Sequence, residues 1–203
     1  MSVLQHRKPR PLDRRIAFRD AMLIIIATEG QKTEKQYFDI FRNQKIQVKI
    51  IETRNGRSSP VDVLKRLDVY QKEYDIAKED QLWLMTDTDR WGNKILSSIV
   101  QEAKQKGYKL AISNPCFECW LLLHFEDITE NNITCGKIKK RLQKIMGSYD
   151  SSNLRTDQFT MSRIENAACR AEKMDKDRRE PWPHKVGTHV YKVVKSIMKY
   201  INK

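Results

Sequence analysis

Apolar positions along this chain follow two rhythms. Short continuous runs at residues 23–28, 48–53, 81–86 and 109–113 have strand length, and the first (Leu23-Ile24-Ile25-Ile26-Ala27-Thr28) is rich in β-branched residues. Such a run predicts a strand covered on both faces. Between the runs the spacing turns helical. Tyr37, Phe38 and Phe41 share one face of a helix over 33–41, and Leu64, Leu67, Tyr70 and Tyr74 share another. Ile95, Ile99 and Ala103 mark a third helix that stops by Gly107. Asn55 to Ser59 reads as loop, with Pro60 suited to the first turn after it. Asn114-Pro115 is expected to open a fourth helix, as N-cap and first-turn proline, running from Cys116 to about Phe125.

Strand and helix alternate four times, which predicts an α/β fold with a parallel four-stranded sheet and helices on both faces. Beyond residue 126 the strands stop, and amphipathic helices follow at 136–146, 162–174 and 189–201. The expected organisation is a basic, flexible arm over 1–20, where Pro9 and Pro11 argue against helix, an α/β domain over 21–126, and a helical extension over 127–203 packed on that domain.

Charge changes the picture next. Lys and Arg outnumber Asp and Glu by 39 to 26, and the excess is clustered. Lys137, Lys139, Lys140, Arg141 and Lys144 stand in a stretch without a single acid, and further clusters lie in 1–20 and 170–203. Such clusters favour a polyanionic partner, most simply the phosphate backbone of DNA or RNA, against the plainer reading of solvated helix faces. No apolar run reaches the ~20 residues that cross a bilayer, and no apolar segment follows the basic start as in a secretory signal, so a cytoplasmic protein without membrane contact is expected. The four cysteines lack the spacing of a disulfide framework, which suggests a reduced protein. Cys116 and Cys119 have C-x-x-C spacing, yet their apolar neighbours favour burial over redox or zinc chemistry. His124 is expected to be a structural histidine, as are His184 and His189 by default.

The candidate chemistry sits at strand ends. Asp87 and Asp89 follow the third run at i, i+2, a spacing that in extended chain puts both on one face roughly 7 Å apart. Glu29 ends the first run and Asn114 the fourth. Strand C-termini of a parallel sheet share one rim. If the first and third strands are neighbours, three carboxylates converge there and a hard divalent cation, Mg²⁺ or Mn²⁺, is the usual relief. A capping Asp or a solvated turn is the dull reading of Asp-x-Asp.

These residues carry a resemblance. Glu29-Gly30 after a first strand, with Asp87-Thr88-Asp89 after a later one, resembles the two signatures of the Toprim fold. Narrower still, Ile26-Ala27-Thr28-Glu29-Gly30 through Tyr37-Phe38, with Asn114-Pro115-Cys116-Phe117-Glu118-Cys119-Trp120, is similar to the RloB-like family, associated with AbiL-type abortive phage resistance and often found beside an AAA/ABC-type ATPase. The resemblance implies a Toprim-like sheet and a metal-dependent nuclease acting in antiviral defence. It places Asp87, Asp89 and Glu29 on the metal, with Glu29 also able to pass a proton and Lys32 a further catalytic candidate. Glu118, one turn into the fourth helix, is a candidate for a second metal or for anchoring the helix. Gly30, Arg90, Asn114, Lys137, Lys139, Lys140 and Arg141 are candidates for contacting nucleic acid, Asn114 with a cap as its plainer role. The family's Thr-x-Val pattern is present as Thr188-His189-Val190, without the Asn-Pro that usually precedes it.

Two other classes compete. One is a non-catalytic subunit that binds nucleic acid or an ATPase with an idle carboxylate rim. The other is a haloacid-dehalogenase-type phosphatase with Asp87 as nucleophile, disfavoured because that family carries its Asp-x-Asp after the first strand. Oligomeric state stays open.

Overall fold

The computed structural model describes residues 7–13, 15, 20–53 and 58–201. Its centre is β1 (Met22–Thr28), seven residues without an exposed side chain. Alternate residues face opposite ways in a strand, and here each face has its own core. Met22, Ile24 and Ile26 join one apolar cluster, and Leu23, Ile25 and Ala27 join the other. That double burial is why the run is continuous rather than alternating.

On either side of β1 lie β2 (Ile46–Ile51) and β3 (Gln81–Asp87), both parallel to it, and β4 (Lys109–Asn114) lies parallel to β3. The short helix α1 (Thr33–Phe38), continued by a 3-10 turn, leads to β2, while α2 (Pro60–Glu73) and α3 (Asn93–Gln105) lead to β3 and β4. Tyr37 and Phe38 of α1 pack on one face of the sheet, and Val63, Leu67, Ile99 and Ala103 of α2 and α3 on the other. Connections therefore leave β1 in one direction and β3 in the other. The strand order β2-β1-β3-β4-β5 makes the gap between β1 and β3 a topological switch point, where open α/β sheets bind ligands.

Several expectations need correction. Among the described residues the sheet has five strands, not four: β5 (Gly187–Thr188) comes from the extension and pairs antiparallel with β4, Thr188 opposite Ser113. Thr188-His189-Val190 is thus a sheet edge leading into a helix. The helix after Asn114-Pro115 does not start there. The Asn114–Pro115 peptide is cis, and α4 (Glu118–Leu122) begins three residues later without a side-chain cap, so Asn114 is no N-cap. Ile95 is 43% exposed; α3 presents Leu96, Ile99, Val100 and Ala103 inward instead, because Leu96 rather than Ile95 falls in phase with the next two turns.

The last three helices, α5 (Cys135–Met146), α6 (Met161–Met174) and α7 (Val190–Ile201), match the periodicity closely. Their apolar stripes (Ile138 and Leu142, Ile164 and Ala167, Val193 and Ile197) complete the cluster that covers the α1 face. The extension is therefore half of a core shared with β1. Part of the expected arm is docked as well. Lys8 pairs with Tyr74, and the Arg10 guanidinium binds Asp80 and the Ala21 carbonyl. Residues 1–6, 14 and 16–19 of that arm, together with residue 54 and residues 55–57 of the expected loop, lie outside the described residues. Among the described residues, no helix is long and apolar enough to cross a membrane.

Candidate functional site

The parallel pairing of β1 with β3 decides the site, because it carries both strand ends to the switch point. Thr28 stands opposite Met85, and the next amide, Glu29 N–H, donates to the Met85 carbonyl at 3.2 Å. The Glu29 carboxylate is then held by three donors. Thr86 Oγ1 gives a hydrogen bond of 2.7 Å to Oε2, the Asp87 backbone N–H one of 3.2 Å to the same oxygen, and Trp91 Nε1 donates to the carboxylate at 3.1 Å. Glu29 and Asp87 thus meet across the β1–β3 boundary.

Asp87 is the last residue of β3 and half-buried. Burial, with Glu29, Glu34, Glu118 and Asp89 around it, pushes its carboxyl well above the usual carboxylate range. Asp89 lies beyond the strand in an exposed turn, so the extended i, i+2 geometry ends at Asp87. Desolvation raises its pKa, and the neighbouring Arg90 partly offsets this. The turn is tied to the next strand: the backbone N–H groups of Thr88 and Asp89 both donate to the Pro115 carbonyl at 3.2 Å. The Asp-Thr-Asp and Asn-Pro-Cys-Phe-Glu strings are neighbours for that reason.

These residues open onto a cleft of about 330 Å³ lined by Glu29, Gly30, Lys32, Glu34, Asp87, Asp89, Arg90, Glu118 and Lys139, among others. Of the expected nucleic-acid contacts, Gly30, Arg90 and Lys139 line it. Lys137 and Lys140 are exposed away from it on other faces of α5. Arg141 is engaged by Glu126 at 2.5 Å and Glu130 at 2.9 Å, and Asn114 Nδ2 donates to the Pro183 carbonyl at 2.9 Å, so neither faces the cleft. Gly30 leaves open a space that a neighbouring side chain fills. A Cβ there would stand 2.2 Å from Glu34 Oε2, so the missing side chain makes room for a second carboxylate.

Glu34 was not among the expected site residues. It is 6% exposed, its Oε1 accepts the Gly30 N–H at 3.2 Å, and burial lifts its pKa to about 7. A signal existed in the sequence: Glu34 lies on the same helical face as Tyr37, Phe38 and Phe41, an acid on an apolar stripe. Glu118 is also buried. Tyr149 Oη donates to its Oε1 at 3.0 Å and Lys139 Nζ stands 3.2 Å from the same oxygen.

The cysteines correct another expectation. Cys116 is joined by a disulfide to Cys135, 19 residues on, and both line the cleft; Cys119 is buried and free, its thiol pushed up to about 12 by burial, and Cys169 is exposed and free. The C-x-x-C is therefore not a functional pair. His124 is structural as expected, bonded to the Trp120 carbonyl at 2.9 Å and Tyr37 Oη at 3.1 Å. His189 is buried with Nε2 3.3 Å from Asp175, and His184 pairs with Glu180, both outside the cleft.

Glu29, Asp87 and Asp89 share a rim without forming a preformed ligand cage. Among the described residues, the set of three ligand groups lying within 4.8 Å of one another is Cys116, Glu118 and Cys135. No curated protein and no solved structure matches the chain. The family model of RloB-like proteins matches residues 24–197, which spans β1 through α7 and includes every acid of the cleft. The chain belongs to the RloB-like family.

Proposed function

We propose that this protein is a metal-dependent, Toprim-type nuclease that hydrolyses DNA or RNA, with tRNA as one candidate substrate, as an antiphage abortive-infection effector working with an ATPase partner. The observation that carries this reading is the Asp87 N–H donating to Glu29 Oε2 at the β1–β3 switch point, with five carboxylates around one cleft. The donor set fits a hard cation: burial, and then the acids around it, raise the Asp87 pKa, and a divalent positive charge relieves both. Asp87 and Asp89 would hold Mg²⁺ or Mn²⁺, with Glu29 and Glu118 within reach of the same cleft. When bound, such an ion polarises a phosphodiester and lowers the pKa of a bound water.

The chain's own residues do the rest. Thr86 and Trp91 fix the Glu29 carboxylate in one orientation at the cleft, where it would serve as ligand or proton acceptor. Lys32, Arg90 and Lys139 ring the acids and offset charge on the transferring phosphoryl group. The exposed Lys137 and Lys140 extend the positive surface along α5 for a nucleic-acid backbone.

The test is incubation of the purified chain with plasmid, tRNA and single strands, with and without Mn²⁺. Asp87→Ala and Asp89→Ala are expected to abolish cleavage while circular dichroism stays unchanged; cleavage that persists in both ends the proposal. A second reading, a binding subunit with an idle rim, draws on the three internal donors that already occupy Glu29. Calorimetric titration with Mn²⁺ separates the two, since an idle rim takes up no metal.

A further inference from the structure

The geometry points to a second cation site of different chemistry: in the dithiol state, Cys116, Cys135 and Glu118 hold a thiophilic divalent cation of the Zn²⁺ class beside the carboxylate rim. Their ligand atoms already lie within 4.8 Å of one another. Around a four-coordinate zinc with bonds of about 2.3 Å to sulfur, ligand atoms stand roughly 3.8 Å apart, so the cluster needs only to open where the two sulfurs are now bonded. Water supplies the fourth position.

Glu118 gives the independent observation. Its Oε1 is satisfied by Tyr149 and Lys139. Its Oε2 instead meets Cys135 Sγ at 3.5 Å, and a disulfide sulfur has no proton to donate. A carboxylate that is 7% exposed is thus aimed at a sulfur pair that gives it nothing in the oxidised state. With an ion between them, oxygen and sulfur both become ligands, and Tyr149 and Lys139 become the outer groups that orient the carboxylate. Cys135 is the first residue of α5, a helix capped by Thr134, where the macrodipole favours a thiolate. Two thiolates select zinc over magnesium, which keeps the site distinct from Asp87 and Asp89.

The chemistry balances. A dithiol gives two electrons and two protons to the Cys116–Cys135 bond and closes to its own disulfide. The two thiols then each release a proton as sulfur binds the ion. Either link, S–S bond or ion, joins α5 and its Lys139 to the loop after β4.

The full-length chain is reduced with a dithiol, desalted without oxygen and titrated with Co²⁺. A thiolate-to-cobalt charge-transfer band in the near ultraviolet is expected, saturating at a single equivalent and displaced by Zn²⁺. It should be absent from the oxidised wild type, a folded control, and from reduced Cys116→Ser and Cys135→Ser. Cys169→Ser should retain it, and Tyr149→Phe should weaken binding about 10–100-fold. A reduced wild type without the band, or a band surviving in both Cys116→Ser and Cys135→Ser, overturns the assignment. The readout is separate from cleavage, because Asp87→Ala should keep the band; either reading can fail while the other stands.

Discussion

The Gly30 backbone N–H donates to Glu34 Oε1 at 3.2 Å, and the space a Gly30 side chain needs is filled by that same carboxylate. Gly30→Ala is therefore expected to displace Glu34 from its pocket and to cost about 1–3 kcal/mol, the usual range for overpacking a filled site. Gly30→Ala in a Glu34→Ala background should cost much less. Urea unfolding of the two singles and the double measures the coupling.

Glu34 also sets a pH dependence. Its folded pKa of about 7 lies above the ordinary carboxylate value, so the folded state holds a proton that the unfolded chain has lost. No penalty exists below about pH 4.5, and it grows to about 3 kcal/mol as pH rises to 7. Glu34→Gln should accordingly raise Tm at pH 8 in chelator and leave it unchanged near pH 4. Equal shifts at both values would contradict the burial argument.

His124 acts in the opposite sense. Burial, against one carbonyl and one hydroxyl, lowers its pKa to about 3. A carbonyl only accepts, so Nδ1 carries the proton and Nε2 accepts from Tyr37. The unfolded chain takes up a proton below about pH 6.5 that the folded one refuses. Stability is complete above that value and falls as pH drops toward 3, by on the order of 4–5 kcal/mol over the full span. Thermal melts of His124→Gln between pH 7 and pH 4 should show a visibly shallower slope than wild type.

Arg10 clamps the start of the chain onto the end of the loop before β3. Asp80, its side chain fully buried, receives Arg10 Nε at 2.8 Å and the backbone N–H groups of Leu23 and Ala77 at 3.0 Å each. Arg10→Ala leaves that carboxylate without its cation and should cost about 3–5 kcal/mol, whereas Arg10→Ala with Asp80→Asn should recover a large part. Chemical denaturation of both reads the difference.

The elements were legible wherever the energy is local. The continuous apolar β1 run, the stripes of α5 to α7 and Pro60 after Ser59 each encode their structure within a few residues. The rule failed where one residue had two readings. Asn114-Pro115 has the composition of a helix start, yet the Pro115 carbonyl serves the Asp87-Thr88-Asp89 turn and the Asn114 side-chain amide the Pro183 carbonyl ahead of β5. Ile95 stands at i, i+4 spacing from Ile99 and Ala103, but the buried stripe centres on Leu96, Ile99, Val100 and Ala103 and leaves Ile95 at its margin.

Composition and spacing by themselves determined the α/β alternation, the acids at strand ends and the basic run of α5, since each depends on neighbours along the chain. Only tertiary structure decided that Glu29 meets Asp87 across 58 residues, that Glu34 joins them, and that Cys135 finds Cys116 rather than leaving it to Cys119. Strand order and helix docking are chosen by the burial of whole faces, and no short window of sequence records which distant face will fit.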